Sequence, residues 1–216
     1  MRYKAVIFDL DGTLVDSSAD IAEAMNRALA KAKLPLVTSK QISSYLGGGP
    51  RRLVELCLDS SIADLTEEQI LEVLNDYSTY YQANPAERTE LLDTASTVIP
   101  ALAAAGAKIG ICTNKRTAIA HDVVDGVGIG QFVQAIIGSD IAEAAKPSPL
   151  HLLQTAQALK IDPLAVLYVG DTAIDQASAH AAGITYAHVA WGQEDVPAQH
   201  HIQSFDELLP LLHGNI

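Results

Sequence analysis

Apolar runs and helical stripes alternate along most of the chain, and one long helical stretch interrupts the alternation early. Residues 3–8 form a short apolar run that ends at Asp9, the composition and length of a buried strand. From about Asp16 to Asn84 the pattern is helical. Ile21, Met25, Ala28, Leu29 and Ala32 fall at helical spacing, and Leu34-Pro35 ends that helix. Thr38 opens a short second helix through Ile42 and Tyr45, which Gly47 to Pro50 breaks, and Leu53, Leu56 and Cys57 continue a helical face. Thr66-Glu67-Glu68-Gln69 is a capping-box sequence. The stripe behind it contains Ile70, Val73, Leu74, Tyr77, Tyr80 and Tyr81, with the tyrosines expected to pack rather than to bind a ligand.

From Thr94 onward short apolar runs and amphipathic stretches take turns. A helix to Ala105, closed by Gly106, leads into a strand over 108–112 and a helix from Ala118. A strand over 135–138, a helix over 150–159 and a strand over 166–169 come next. A helix from Ile174 stops at Gly183, a strand covers 185–190, and Phe205, Leu208, Leu209 and Leu212 mark a last amphipathic helix. Such alternation predicts an α/β fold, a Rossmann-like parallel sheet flanked by helices on both faces. The early block then becomes an inserted helical unit over 16–84, with the α/β core built from 1–15 and 85–216.

Length and composition agree with this picture. The 216 residues suffice for one α/β domain with a small insert, and 49% apolar content supports a buried core. The net charge of −12 argues against a nucleic-acid surface, which needs clustered Lys and Arg. It does not exclude one small phosphate, because a metal and a few cations can reverse the local field. Cys57 and Cys112 provide neither a disulfide framework nor zinc spacing, and Cys112 reads as a small core residue. His200-His201, the only histidine pair, reads as solvated. No apolar run reaches the roughly 18 residues of a membrane span, and no signal-peptide pattern opens the chain. A cytoplasmic protein without membrane or nucleic-acid partners, monomeric or homodimeric, is expected.

The candidate chemistry sits at strand ends. Phe8-Asp9-Leu10-Asp11-Gly12-Thr13 places paired carboxylates where the first strand ends, and Gly12 and Thr13 turn the chain away. Close buried carboxylates are costly unless something stabilises them, and a divalent cation is the usual answer. Strand 108–112 ends in Thr113 and Asn114. Lys146-Pro147-Ser148-Pro149 holds a lysine just ahead of a helix start, and strand 166–169 runs into Gly170-Asp171 with Asp175 one helical turn later. Each has an ordinary alternative as a helix cap, a surface lysine or a first-turn acid. Together they converge, because parallel strands deliver their carboxyl ends to one edge of the sheet, where ligands bind.

This set, in this order, resembles the haloacid dehalogenase superfamily of phosphohydrolases. Thr113-Asn114-Lys115, the Lys146 to Pro149 run and Gly47-Gly48-Gly49-Pro50-Arg51 are similar to the phosphoglycolate phosphatase group within it. The resemblance implies a mobile cap over the sheet edge and a Mg²⁺-dependent hydrolysis of a small phosphorylated metabolite. It assigns Asp9 as nucleophile and Asp11 as general acid and base. Asp9, the backbone carbonyl of Asp11 and Asp171 would supply metal ligands, with Asp175 either binding a metal-bound water or orienting Lys146. Thr113 and Asn114 would hold phosphate oxygens, and Lys146 would balance phosphoryl charge. Arg51 or Arg52 would meet a substrate carboxylate. A sugar-phosphate phosphatase, a β-phosphoglucomutase-like enzyme and a pyrophosphatase are rival activities on the same scaffold. A phospho-accepting receiver domain is the distant alternative.

Overall fold

The structure, a computed structural model, describes residues 1–59, 65–192 and 196–214. Strands β1 (Ala5–Phe8), β4 (Lys108–Cys112), β5 (Val133–Ile137), β6 (Val166–Gly170), β7 (Thr185–Val189) and β8 (His200–Ile202) form one parallel sheet in the order β5-β4-β1-β6-β7-β8. β1 lies at its centre because it is buried on both faces, as its unbroken apolar run requires. Its side chains alternate between layers. Val6 and Phe8 join the core on one face, while Ala5 and Ile7 face Leu152, Ala156 and Tyr168 on the other. Burying a side chain such as Phe8 or Ile7 contributes about 1.5–3 kcal/mol.

Nine helices cover the sheet and its carboxyl edge among the described residues: α1 (Ser18–Lys31), α2 (Ser39–Tyr45), α3 (Gly49–Leu58), α4 (Glu67–Ala83), α5 (Ala95–Ala104), α6 (Thr117–Gly126), α7 (Pro149–Ala158), α8 (Ala173–Ala182) and α9 (Leu208–His213). α1 to α4 are the early helical block. Thr38 and Thr66 each close a capping box with the glutamine three residues on, as the second of those patterns predicted.

Other features are structural additions. The helical block is entered and left through a short antiparallel ribbon, β2 (Val15–Asp16) with β3 (Glu90–Leu91). Beside it the buried Asp20 carboxylate accepts hydrogen bonds from the Arg88 backbone N–H and side chain and from the Thr89 hydroxyl, tying the start of α1 to the chain entering β3. β8 changes the reading of His200-His201 only in part, since His201 is exposed as expected. His200 is half-buried in a strand, and exposed His201 packs its ring 5.8 Å from that of His188. A strand of three residues carries no periodicity to read, so its pairing with β7 decides it. No described helix is long and apolar enough to cross a membrane.

Candidate active site

β4 lies on one side of β1 and β6 on the other, so the connections leave the centre in opposite directions. That divergence opens a crevice at the carboxyl end of β1, where parallel α/β sheets bind ligands. Asp9 stands there, 3% exposed, its backbone N–H donating to Val169 O at 2.9 Å. Thr113 and Asn114 arrive from β4, Asp171 from β6, and Asp175 from the first turn of α8; all are buried.

Lys146 links two of these acids. Its Nζ lies 2.8 Å from Asp9 Oδ1, 2.6 Å from Asp175 Oδ1 and 3.0 Å from the Tyr168 hydroxyl, which in turn donates to Asp175 Oδ1 at 2.6 Å. Thr172 caps α8 and donates its hydroxyl to Asp175 Oδ2 at 2.6 Å. Both Asp175 oxygens are therefore engaged. Burial raises the Asp175 carboxyl, but Lys146, Thr172 and Tyr168 outweigh it and hold the group below its ordinary value. Burial also works against the Lys146 ammonium, yet Asp175 and Asp9 keep it charged, well above the usual lysine value. The lysine loop has a support that the sequence did not reveal. His151 Nδ1 accepts from the Lys146 backbone N–H at 3.3 Å, while Nε2 faces Ile137 O at 2.9 Å, which assigns the proton to Nε2.

The donor set fits a divalent cation. One oxygen each of Asp9, Asp171 and Asp175 lie within 4.8 Å of one another. Because Asp175 is committed to Lys146, Asp9 and Asp171 are the side chains able to hold such an ion. Asp171 Oδ1 accepts from the Thr13 hydroxyl at 2.6 Å, but its Oδ2 is buried without a hydrogen-bond partner. Burial, then the charges of Asp175 and Asp9, push the Asp171 carboxyl well above the carboxylate range, and burial lifts Asp9 to about 7 against the lowering by Lys146. Buried acids in this condition are stabilised as anions by a bound cation. The backbone keeps room for one. Gly12 has φ +84°, and a Cβ there would stand 2.6 Å from Asp171 Oδ2. At Gly170 a Cβ would stand 2.6 Å from that of Asp175.

Beside these acids lies a cavity of about 50 Å³, bounded on the helical side by residues including Ile21, Leu46, Leu53 and Tyr77. Asp9, Asp11, Thr113 and Asn114 reach it from the sheet. Tyr77 and Tyr81 pack as expected, with stacked rings 5.9 Å apart, and also line the cavity. Asp11 faces it with one oxygen accepting from the buried Ser17 hydroxyl and the other 3.0 Å from Lys115 Nζ.

Not every expected ligand residue points inward. Arg51 is corrected: its guanidinium forms a fork with Glu67 at 2.7 and 2.9 Å and reaches Glu55 at 2.8 Å, on the outer face of α3 and α4. Arg52 also turns to Glu55, at 3.6 Å. Neither lines the cavity. The Asn114 amide is committed to backbone groups rather than to an anion: Nδ2 donates to Gly47 O at 2.8 Å and Lys146 O at 3.1 Å, and Oδ1 accepts from Lys146 N at 3.0 Å. Lys115, in contrast, has no assigned role in the sequence pattern, yet its side chain is buried against Asp11 and Tyr81. Its position directly after Thr113-Asn114 was the available signal.

Comparison with known proteins agrees with this geometry. The family model described as haloacid dehalogenase-like hydrolase matches residues 6–189. The phosphoglycolate phosphatase of Cereibacter sphaeroides is 36% identical over 212 residues, covering 96% of each chain. That of Aquifex aeolicus is 31% identical, covering 91% of this chain and 89% of its own. Among solved structures, a predicted phosphoglycolate phosphatase from Haemophilus somnus 129PT superposes with a TM-score of 0.88 at 25% identity over 98% of both chains. With strand order, acid placement and sequence in agreement, the chain belongs to the haloacid dehalogenase-like hydrolase family and is a phosphatase of its phosphoglycolate phosphatase-like group.

Proposed function

We propose that the protein hydrolyses 2-phosphoglycolate or a close analogue with Mg²⁺, through a phosphoryl group carried briefly on Asp9. The observation that carries this reading is the pairing of Asp9 with Lys146 at 2.8 Å beside a second carboxyl, Asp11, that faces the same cavity. The relatives named phosphoglycolate phosphatase support the substrate.

An Asp9 oxygen attacks phosphorus as the ester P–O bond breaks, and Asp11 passes a proton to the departing alcohol oxygen. Water then attacks the phosphoryl group, Asp11 takes its proton, and Asp9 is released with inorganic phosphate. Lys146 neutralises charge at Asp9 and the phosphoryl oxygens, in the orientation set by Asp175 and Tyr168. Asp9 and Asp171 would hold Mg²⁺, which supplies charge neutralisation for the nucleophile and the phosphate. Thr113 contributes its hydroxyl to the phosphate, while Asn114 fixes the lysine loop. The helical block acts as the cap, shielding the crevice from bulk water.

The test is phosphate release from a panel of 2-phosphoglycolate, glucose 1-phosphate and pyrophosphate, with Mg²⁺ and with EDTA, for the wild type and Asp9→Asn. The expected result is a preference for 2-phosphoglycolate that EDTA removes and Asp9→Asn abolishes in a folded protein. Substantial turnover by Asp9→Asn would overturn the nucleophile assignment, and an equal rate on all three would overturn the substrate.

A further inference from the structure

Arg51 and Arg52 are turned outward, so a carboxylated substrate needs another cation. Lys146 is held between Asp9 and Asp175. Arg116 lines the cavity, but its side chain is 53% exposed and lies 3.7 Å from Asp140. Lys115 is different. Its side chain is 5% exposed and lines the cavity, with Nζ 3.0 Å from Asp11 Oδ2 and 2.8 Å from the Tyr81 hydroxyl. The ammonium sits at the hydroxyl end of the Tyr81 ring, 4.5 Å from its centre.

We infer that Lys115 is the residue that selects the substrate, by pairing with a carboxylate one carbon beyond the ester oxygen. The inference rests on the proposed phosphatase reading, in which Asp11 meets that oxygen. The ammonium shares an Asp11 carboxyl oxygen, so it lies within hydrogen-bond reach of the group next along the substrate. In an ester of an α-hydroxy acid that group is the carboxylate. Moving from the Asp11 carboxylate to the substrate carboxylate leaves the buried ammonium paired, whereas a neutral tail gives it no second anion.

The test compares kcat and KM for 2-phosphoglycolate and ethyl phosphate, which differ at the carboxylate, in full-length wild type, Lys115→Met and Lys115→Arg with Mg²⁺. Lys115→Met raises KM for 2-phosphoglycolate by roughly 10- to 100-fold, the worth of a charged hydrogen bond, and raises KM for ethyl phosphate far less. Any fall in kcat from disturbing Asp11 is common to both esters, and Lys115→Arg restores part of the KM. Equal changes on the two esters would reduce Lys115 to a support for Asp11 and overturn the inference, with the phosphatase reading intact. Failure of the wild type to hydrolyse either ester would instead overturn the proposed 2-phosphoglycolate substrate on which the inference rests. If Lys115→Met does not fold, wild-type discrimination decides: 2-phospholactate is accepted and 3-phosphoglycerate, with its carboxylate one carbon further away, is disfavoured. Equal use of those two overturns the inference.

Discussion

Asp9 and Asp11 are two residues apart and end in different environments. Asp9 is buried against Lys146, whereas Asp11 faces the cavity between Ser17 and Lys115. In the proposed function that difference separates nucleophile from proton donor. Asp11→Asn should therefore slow alkyl phosphates by about 10²–10⁴-fold and p-nitrophenyl phosphate much less, because a good leaving group departs without a proton. Steady-state rates on both esters check this, and an equal loss contradicts the general-acid role. His151 gives a prediction in pH. Burial is the main cause that lowers its ring from 6.5 to about 4. Between those values the unfolded chain takes up a proton that the folded chain refuses. The His151 contribution is therefore fully present above pH 6.5 and is lost as pH falls towards 4, by about 3 kcal/mol in all. Urea midpoints across that range should fall less steeply in His151→Gln than in the wild type.

At the scale of elements, helix starts and strand ends do the positioning. The Thr172 cap of α8 and the Asp175 contact to Lys146 are one construction, since the Thr172 hydroxyl holds the Asp175 oxygen that the lysine does not take. Thr172→Ala should cost about 1 kcal/mol in chemical denaturation for the lost cap, and should also lower kcat by loosening Lys146. A loss of stability with no change in kcat would confine Thr172 to capping. Arg51 joins α3 to α4 through Glu67 on an exposed surface. Arg51→Ala should leave the ratio of KM values for 2-phosphoglycolate and ethyl phosphate unchanged, with at most a slight shift in thermal midpoint. A selective rise in KM for 2-phosphoglycolate would return Arg51 to the substrate.

At the scale of the whole molecule, Asn114 joins what the sequence separates. Its side chain connects Gly47 of the helical block, 67 residues away, to the Lys146 loop, 32 residues away on the other side. One side chain thus ties the helical block to the lysine backbone. Asn114→Ala should lower kcat on 2-phosphoglycolate by about 10-fold or more, with a smaller change in KM, the signature of lost positioning rather than lost binding. A rise in KM alone, at full kcat, would instead assign Asn114 to the phosphate.

The sequence by itself determined the parallel α/β core, the helical interruption after β1, and the order of Asp9, Asp11, Thr113, Lys146, Asp171 and Asp175. These follow from local signals: apolar periodicity, turn residues and the delivery of strand ends to one edge. The tertiary structure decided β8 and the β2–β3 ribbon, which are too short to carry a period. It also decided which cations face the cavity. Arg51 found acids on α3 and α4, while Lys115 was buried against Asp11 and Tyr81. A long basic side chain is compatible with either placement, and the choice rests on which oppositely charged groups the fold brings within reach.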